Sequence, residues 1–326
     1  MTAPIDVSEA ISDTAEPKVI EGRSLWSIAW LRLKRDKAAM AGGIIVVLLV
    51  IIALPGVNDL VIKTFGHPVN DFHEDILDPV FGTPHGAFGG ISSSFLFGVE
   101  PKFGRDLFSR IVGGLQVSLL IGFVATLVSV AIGTFLGILA GYFGGWVDSV
   151  IARLMDVFLA FPLLLFAIAL AGVLPDSMLG LSGNGLRMAV LIFIIGFFNW
   201  PYIGRIIRGQ TIAIREREFV DAARSLGASN SYVLFREILP NLIAPIIVYS
   251  SLLIPTNILF ESALSFLGVG INPPKPSWGA MLSDATDYYA TAPYFVVVPG
   301  LAIFITVMAF NLFGDGLRDA LDPRSK

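Results

Sequence analysis

Six long apolar runs constrain this chain more than any other feature. They fall at roughly Ala38–Pro55, Leu115–Gly141, Ile151–Leu174, Met188–Arg205, Leu242–Leu267 and Pro293–Phe313. About 20 apolar residues carry a helix across a hydrocarbon core about 30 Å thick. Backbone polar groups in that core must be satisfied within the segment itself, which a helix does. The expected fold is therefore an all-α integral membrane protein with about six transmembrane helices. A mean hydropathy of +0.76 and a charged fraction of only 15% agree with that reading.

Charge placement sets the orientation. If the N-terminus is cytoplasmic, 16 of the 22 Lys and Arg residues fall on inner segments, so both termini are expected inside. Thirty-seven residues precede the first run and no small-residue cleavage site follows it, so the first span is expected to remain as an anchor. The chain has no cysteine, which excludes disulfides and thiolate chemistry.

Residues 1–23 read as a disordered polar tail. In "SLWSIAWLRLKRDK", Trp26, Trp30 and Leu33 recur at helical spacing ahead of a basic cluster, the pattern of a helix lying in the membrane interface. Residues 24–110 then comprise this helix, the first span and an outer loop from Gly56 to Arg110. That loop holds His67, His73, Glu74, Asp75, Asp78 and His85, whose spacings match no metal-ligand pattern. Residues 111–314 are expected to form a five-helix core carrying a charged loop at 211–240, and 315–326 a second tail. Between the last two spans, "VGINPPKPSWGAML" is expected to be a stiff connection, with Trp278 at the membrane interface.

Ionisable groups inside the runs are few. Asp156 and Glu261 stand out, each open between interfacial packing and pathway lining. Asn199, Asn257 and Asn311 are candidates to join helices by hydrogen bonds.

One charged stretch interrupts the hydrocarbon, "EREFVDAARSLGASNSYVLFREILPN" from Glu216 to Asn241. Phe219, Ala222 or Ala223, and Leu226 recur on one helical face, Gly227 stops the helix, and a second helical pattern runs through Tyr232 and Phe235 to Pro240. Small residues flanked by charge suit a docking element. The alternative is a solvated loop whose alanines merely favour helix.

"DAARSLG" with "ILP" resembles the EAA loop of permeases in binding-protein-dependent ABC importers, with Asp221 for the usual Glu and Glu237 for the usual Ile. "FGRDLFSRIVGGLQVSL", "ESALSFLGVGINPPKPSWGAML" and "NLFGDGLRDALDPR" are similar to the C subunit of dipeptide and oligopeptide permeases. "FGVEPKFGRD" departs from that subgroup, which has Leu-Gly-Thr-Asp before Gly-Arg-Asp. The resemblance covers Ser24 to Arg324. It implies a type I ABC importer permease fold in the bacterial inner membrane, with half a translocation pathway in this chain. It assigns ATPase coupling to Glu218, Phe219, Asp221, Ala222, Ala223, Arg224, Leu226, Gly227 and Ala228. Its permease motifs comprise Gly104, Arg105, Asp106, Ser109, Arg110, Glu261, Gly268, Pro274, Trp278, Gly279, Asp315 and Arg318.

The implied partners are a homologous second permease, two cytoplasmic ATP-binding subunits, an external substrate-binding protein and membrane lipid, with no nucleic acid. ATP and Mg belong to the partner subunits, because no Gly-Lys pair, and hence no phosphate-binding loop, occurs here. Peptides are the expected cargo, with nickel, glutathione or oligosaccharide as alternatives. A secondary transporter is the rival from another class; it would place paired polar groups at broken helices.

Overall fold

The computed structural model describes residues 25–173, 175 and 177–321. The tail expected over 1–23 and residues 322–326 lie outside these described residues. Helix α1 (Leu25–Leu33) meets α2 (Lys37–Ala53) at 100°. The Asp36 carboxylate caps α2 by accepting from the amides of Ala38 and Ala39 at 2.9 and 3.0 Å, satisfying donors that a helix start leaves free. Ala29 and Leu33 pack against Ala39 and Ala320. Trp30 faces away, half exposed, with Lys34 Nζ 5.0 Å from its ring centre. Trp30 and Leu33, expected on one face, do not share an environment.

The expected loop from Gly56 contains a helix, α3 (Pro55–Phe65), followed by short 3-10 turns and two isolated bridges, Leu77 with Pro84 and Val99 with Asp106. Helix α4 (Leu107–Phe143) starts eight residues before the apolar run predicts. The reason is Asp106, whose carboxylate accepts from the Phe108 amide at 3.2 Å. The third run, expected as one span, is broken into α5 (Gly145–Ala160) and α6 (Leu163–Ala171), bent by 74°. Pro162 lacks an amide proton and disfavours helix in Phe161, so the break falls there. A two-residue hairpin, β1 (Ser177–Met178) with β2 (Leu181–Ser182), leads to α7 (Gly183–Arg215).

After α7 come α8 (Glu218–Ser225) and α9 (Asn230–Tyr232), which passes through a π turn over Val233–Ile238 into α10 (Leu239–Phe266). Short α11 (Trp278–Ala285) precedes α12 (Tyr294–Leu321). Asp315 and Arg318, expected in a tail, sit on α12. Four described helices are long and apolar enough to cross a membrane, and six segments are when each bent pair counts as one.

The bundle is built around α4 and α7, which run parallel. Cβ atoms added at Gly133, Gly137 and Gly141 would approach the backbone oxygens of Trp200, Gly204 and Arg208 to 2.6–2.8 Å. Only glycine allows that spacing, the usual device where helices associate in lipid. A polar chain crosses the core: Asn199 Nδ2 donates to Asn257 Oδ1 at 2.7 Å, and Asn257 Nδ2 donates to Thr126 Oγ1 at 2.9 Å. It ties α4, α7 and α10 together, as expected for two of the three asparagines. Asn311 is exposed on α12.

Candidate functional site

Two residue groups collect at opposite ends of α4. At its C-terminal end lies the charged stretch. Helix α8 buries Val220 completely, in one cluster with Ile203, Ile207, Val233, Ile238 and Leu242. Ala223 is half-buried on that side. Phe219, Ala222 and Leu226 turn outward at i, i+3 and i+7, and Leu226 is 90% exposed. This resolves the face that sequence periodicity leaves open between the two alanines. Glu218 and Asp221 occupy the first turn of α8, and Arg224 its last, each sign at the end of the helix dipole it complements. Asp221 and Arg224 pair at 3.7 Å.

The helix ends in a Schellman motif. The Gly227 amide donates to Arg224 at 2.9 Å and the Ala228 amide to Ala223 at 3.0 Å. Gly227 has φ +83°, a conformation glycine adopts at no steric cost. Ser229 then caps the next helix by accepting from the Tyr232 amide at 3.3 Å. The two arms enclose a groove of about 530 Å³ lined by Phe219, Ala222, Leu226, Gly227, Tyr232 and Glu237, among others. Phe235, further along the second arm, is also exposed. Tyr232, Ser229 and Phe235 were not assigned to the site from sequence. The serine cap with an aromatic three residues on was the available signal.

This element is clamped to α4. Tyr142 Oη bonds Asn230 Oδ1 at 2.8 Å, and Arg215 Nη1 donates to the carbonyls of Gly141 and Tyr142 at 3.1 and 3.2 Å. Arg224 stacks 5.2 Å over the Tyr142 ring.

At the N-terminal end of α4, Arg105 and Arg110 converge on the carboxylate of Glu100, Arg110 Nε at 3.0 Å from Oε2. All three are almost fully buried. Burial pushes the Glu100 carboxyl up, and the guanidiniums of Arg110 and Arg105 pull it back. Glu100 falls in the stretch that departs from the subgroup pattern, and sequence did not single it out. Gly104, at φ +65°, lets the chain pass the His73 backbone, whose oxygen would lie 2.3 Å from an added Cβ. Asp106 also accepts from Ser109 Oγ at 2.6 Å and the His67 amide at 3.0 Å. His67 itself stacks on Phe95 with ring centres 4.5 Å apart.

The Arg110 guanidinium donates onward to the Pro274 carbonyl at 3.4 Å. Trp278 is 1% exposed and donates its indole N–H to Ile111 O at 3.0 Å, which corrects its expected interfacial position. Burial of the ring with a satisfied N–H makes it a core residue. Gly279 abuts Ser262 O, 2.2 Å from an added Cβ, and Gly268 turns the chain after α10 at φ +79°. Glu261 is fully buried and accepts from Ser265 Oγ at 2.8 Å, which supports packing of the two roles left open. Asp156 instead pairs with Arg205, both more than half exposed. Asp315 and Arg318 join neither group; they are exposed on α12.

Residues 133–326 match the family described as "Binding-protein-dependent transport system inner membrane component", and residues 24–57 match "N-terminal TM domain of oligopeptide transport permease C". The glutathione transport system permease protein GsiD of Pectobacterium atrosepticum is 40% identical over 93% of this chain and 93% of that protein. The dipeptide transport system permease protein DppC of Alkalihalophilus pseudofirmus is also 40% identical, over 93% and 91% respectively. An inward-facing structure of the MetNI methionine ABC transporter aligns with TM-score 0.53 and 16% identity, covering 66% of this chain and 98% of that one. That likeness concerns the fold.

Proposed function

This chain belongs to the binding-protein-dependent transport system inner membrane components, the multi-pass permeases of ABC importers, and on that premise we propose that it forms half of a translocation pathway for short peptides. A homologous second permease completes the pathway. Two cytoplasmic ATP-binding subunits dock on the 218–228 element, and an external binding protein delivers cargo to the Glu100–Arg110 end. Both termini are cytoplasmic, with 111–314 as the moving core and 24–110 as its anchor and outer cap. This chain has no ATP site, and ATP and Mg act on the partner subunits.

The observation that carries this reading is the outward ridge of Phe219, Ala222 and Leu226 on a turn whose inner face is locked by Val220. Phe219, Ala222, Leu226 and Tyr232 line one exposed groove on an otherwise charged element, and a contiguous apolar patch rimmed by polar residues suits a partner. Docking there lets nucleotide-driven closure move α4 and α7 as one body. Glutathione stands beside peptides as cargo, because the glutathione and dipeptide permeases match this chain at the same identity.

The test is uptake of a labelled dipeptide, a labelled pentapeptide and labelled glutathione in a deletion strain, restored with wild type or Leu226→Glu. Rescue by wild type alone, with both proteins at equal membrane levels, supports coupling through this ridge. Equal rescue by Leu226→Glu overturns it, and the cargo that responds identifies the substrate.

A further inference from the structure

The α5–α6 break lies beside Phe198, near the middle of α7, where Phe166 and Phe198 rings stand 4.6 Å apart. Ala160, Phe161 and Pro162 are exposed there. Non-helical backbone at membrane depth is tolerated where protein buries it or water reaches it, never against lipid. The same side carries further polar groups. Tyr202 is 55% exposed, with its hydroxyl bonded to no described residue. One turn on along α7, Arg205 meets Asp156, at 53% and 56% side-chain exposure. Between break and tyrosine is a concavity of about 290 Å³, walled by Phe158, Phe161, Phe198 and Phe260 and floored in part by Asn199.

A face with an exposed helix break, an exposed phenol and an ion pair open at both side chains suits water. Resting on the reading of the chain as half an importer pathway, we propose that this face lines the cargo route, and that Asp156 and Arg205 exchange partners with the ammonium and carboxylate of a passing short peptide. The pair offers both signs that a zwitterion needs, and the aromatic walls accept side chains of varied shape.

The chain has no cysteine, so single thiols can be read cleanly. In inverted vesicles holding the whole transporter with cysteine-free partners, Tyr202→Cys and Phe161→Cys are treated with a charged, membrane-impermeant methanethiosulfonate. Leu127→Cys on the apolar surface of α4, 68% exposed in this chain, is the control. Reaction at least about tenfold faster than the control, with a rate that changes when ATP is bound, is expected. Reaction as slow as the control overturns the proposal, and disulfide formation with the second permease would then assign the face to that interface. For the ion pair, uptake by Arg205→Gln should fall about tenfold for a free dipeptide, the worth of one charge-assisted hydrogen bond, and less for its C-terminal amide. Equal losses overturn the carboxylate role. If wild type carries no peptide at all, the cargo reading fails while the labelling result still stands.

Discussion

Gly227 allows two physical effects to be separated in one side-chain series. Its φ of +83° places it in the left-handed region, and a Cβ added there meets no atom within 4 Å. Within this chain, the cost of a side chain is therefore backbone strain alone. For alanine that is roughly 1–2 kcal/mol, a factor of about 5–30 in the population of the formed turn. Asparagine tolerates the same region better, because its short amide can bond locally. Leu226 is presented by this turn, so the properly presented ridge should be scarcer in Gly227→Ala than in Gly227→Asn although alanine is smaller. The assay is ATP hydrolysis by the reconstituted transporter, stimulated by loaded binding protein. Activity should rank wild type, then Gly227→Asn, then Gly227→Ala, with Gly227→Leu lowest because its bulk also meets the docked partner. If Gly227→Ala equals wild type and activity falls simply with side-chain size, the backbone argument is refuted.

Other expectations follow from buried polar groups. Asn257→Leu removes both links of the Asn199–Asn257–Thr126 chain; at about 0.6 kcal/mol per interhelical bond, it should lower the thermal midpoint in detergent, while Asn311→Leu should leave it unchanged. Glu100→Ala strands two buried guanidiniums, a loss of about 3–5 kcal/mol that should appear as depleted protein in membranes, with Glu100→Asp intermediate.

Hydropathy carries the spans because burying about 20 apolar residues in lipid overrides local detail, and all six runs coincide with helical segments. What it misses is set by single groups. The start of α4 was hidden because "LFSRIVGG" contains Arg110, which looks like loop until Glu100 is seen to neutralise it. The break at Phe161 was legible in Pro162 and went unread. The π turn over Val233–Ile238 has no sequence period of its own, and the pairing of Asp156 with Arg205 spans 49 residues. The helix over Glu218–Ser225 and its stop at Gly227 were legible in the sequence. The helix's outward face, and the aromatic second arm, needed the position of Val220 beneath them.

The clamp between Tyr142, Asn230 and Arg215 has a mechanical consequence. On the docking proposed above, a loosely hung element would absorb a push as local bending. Here such a push would enter at the foot of a beam, since α4 and α7 are spaced too tightly to slide past one another without clashes along the glycine stripe. At 1.5 Å per residue α4 is about 55 Å long, so a tilt of about 5° at the foot sweeps the far end through roughly 5 Å. The far end is where Glu100, Arg105 and Arg110 converge, and that ion cluster would therefore travel as the tip of a lever.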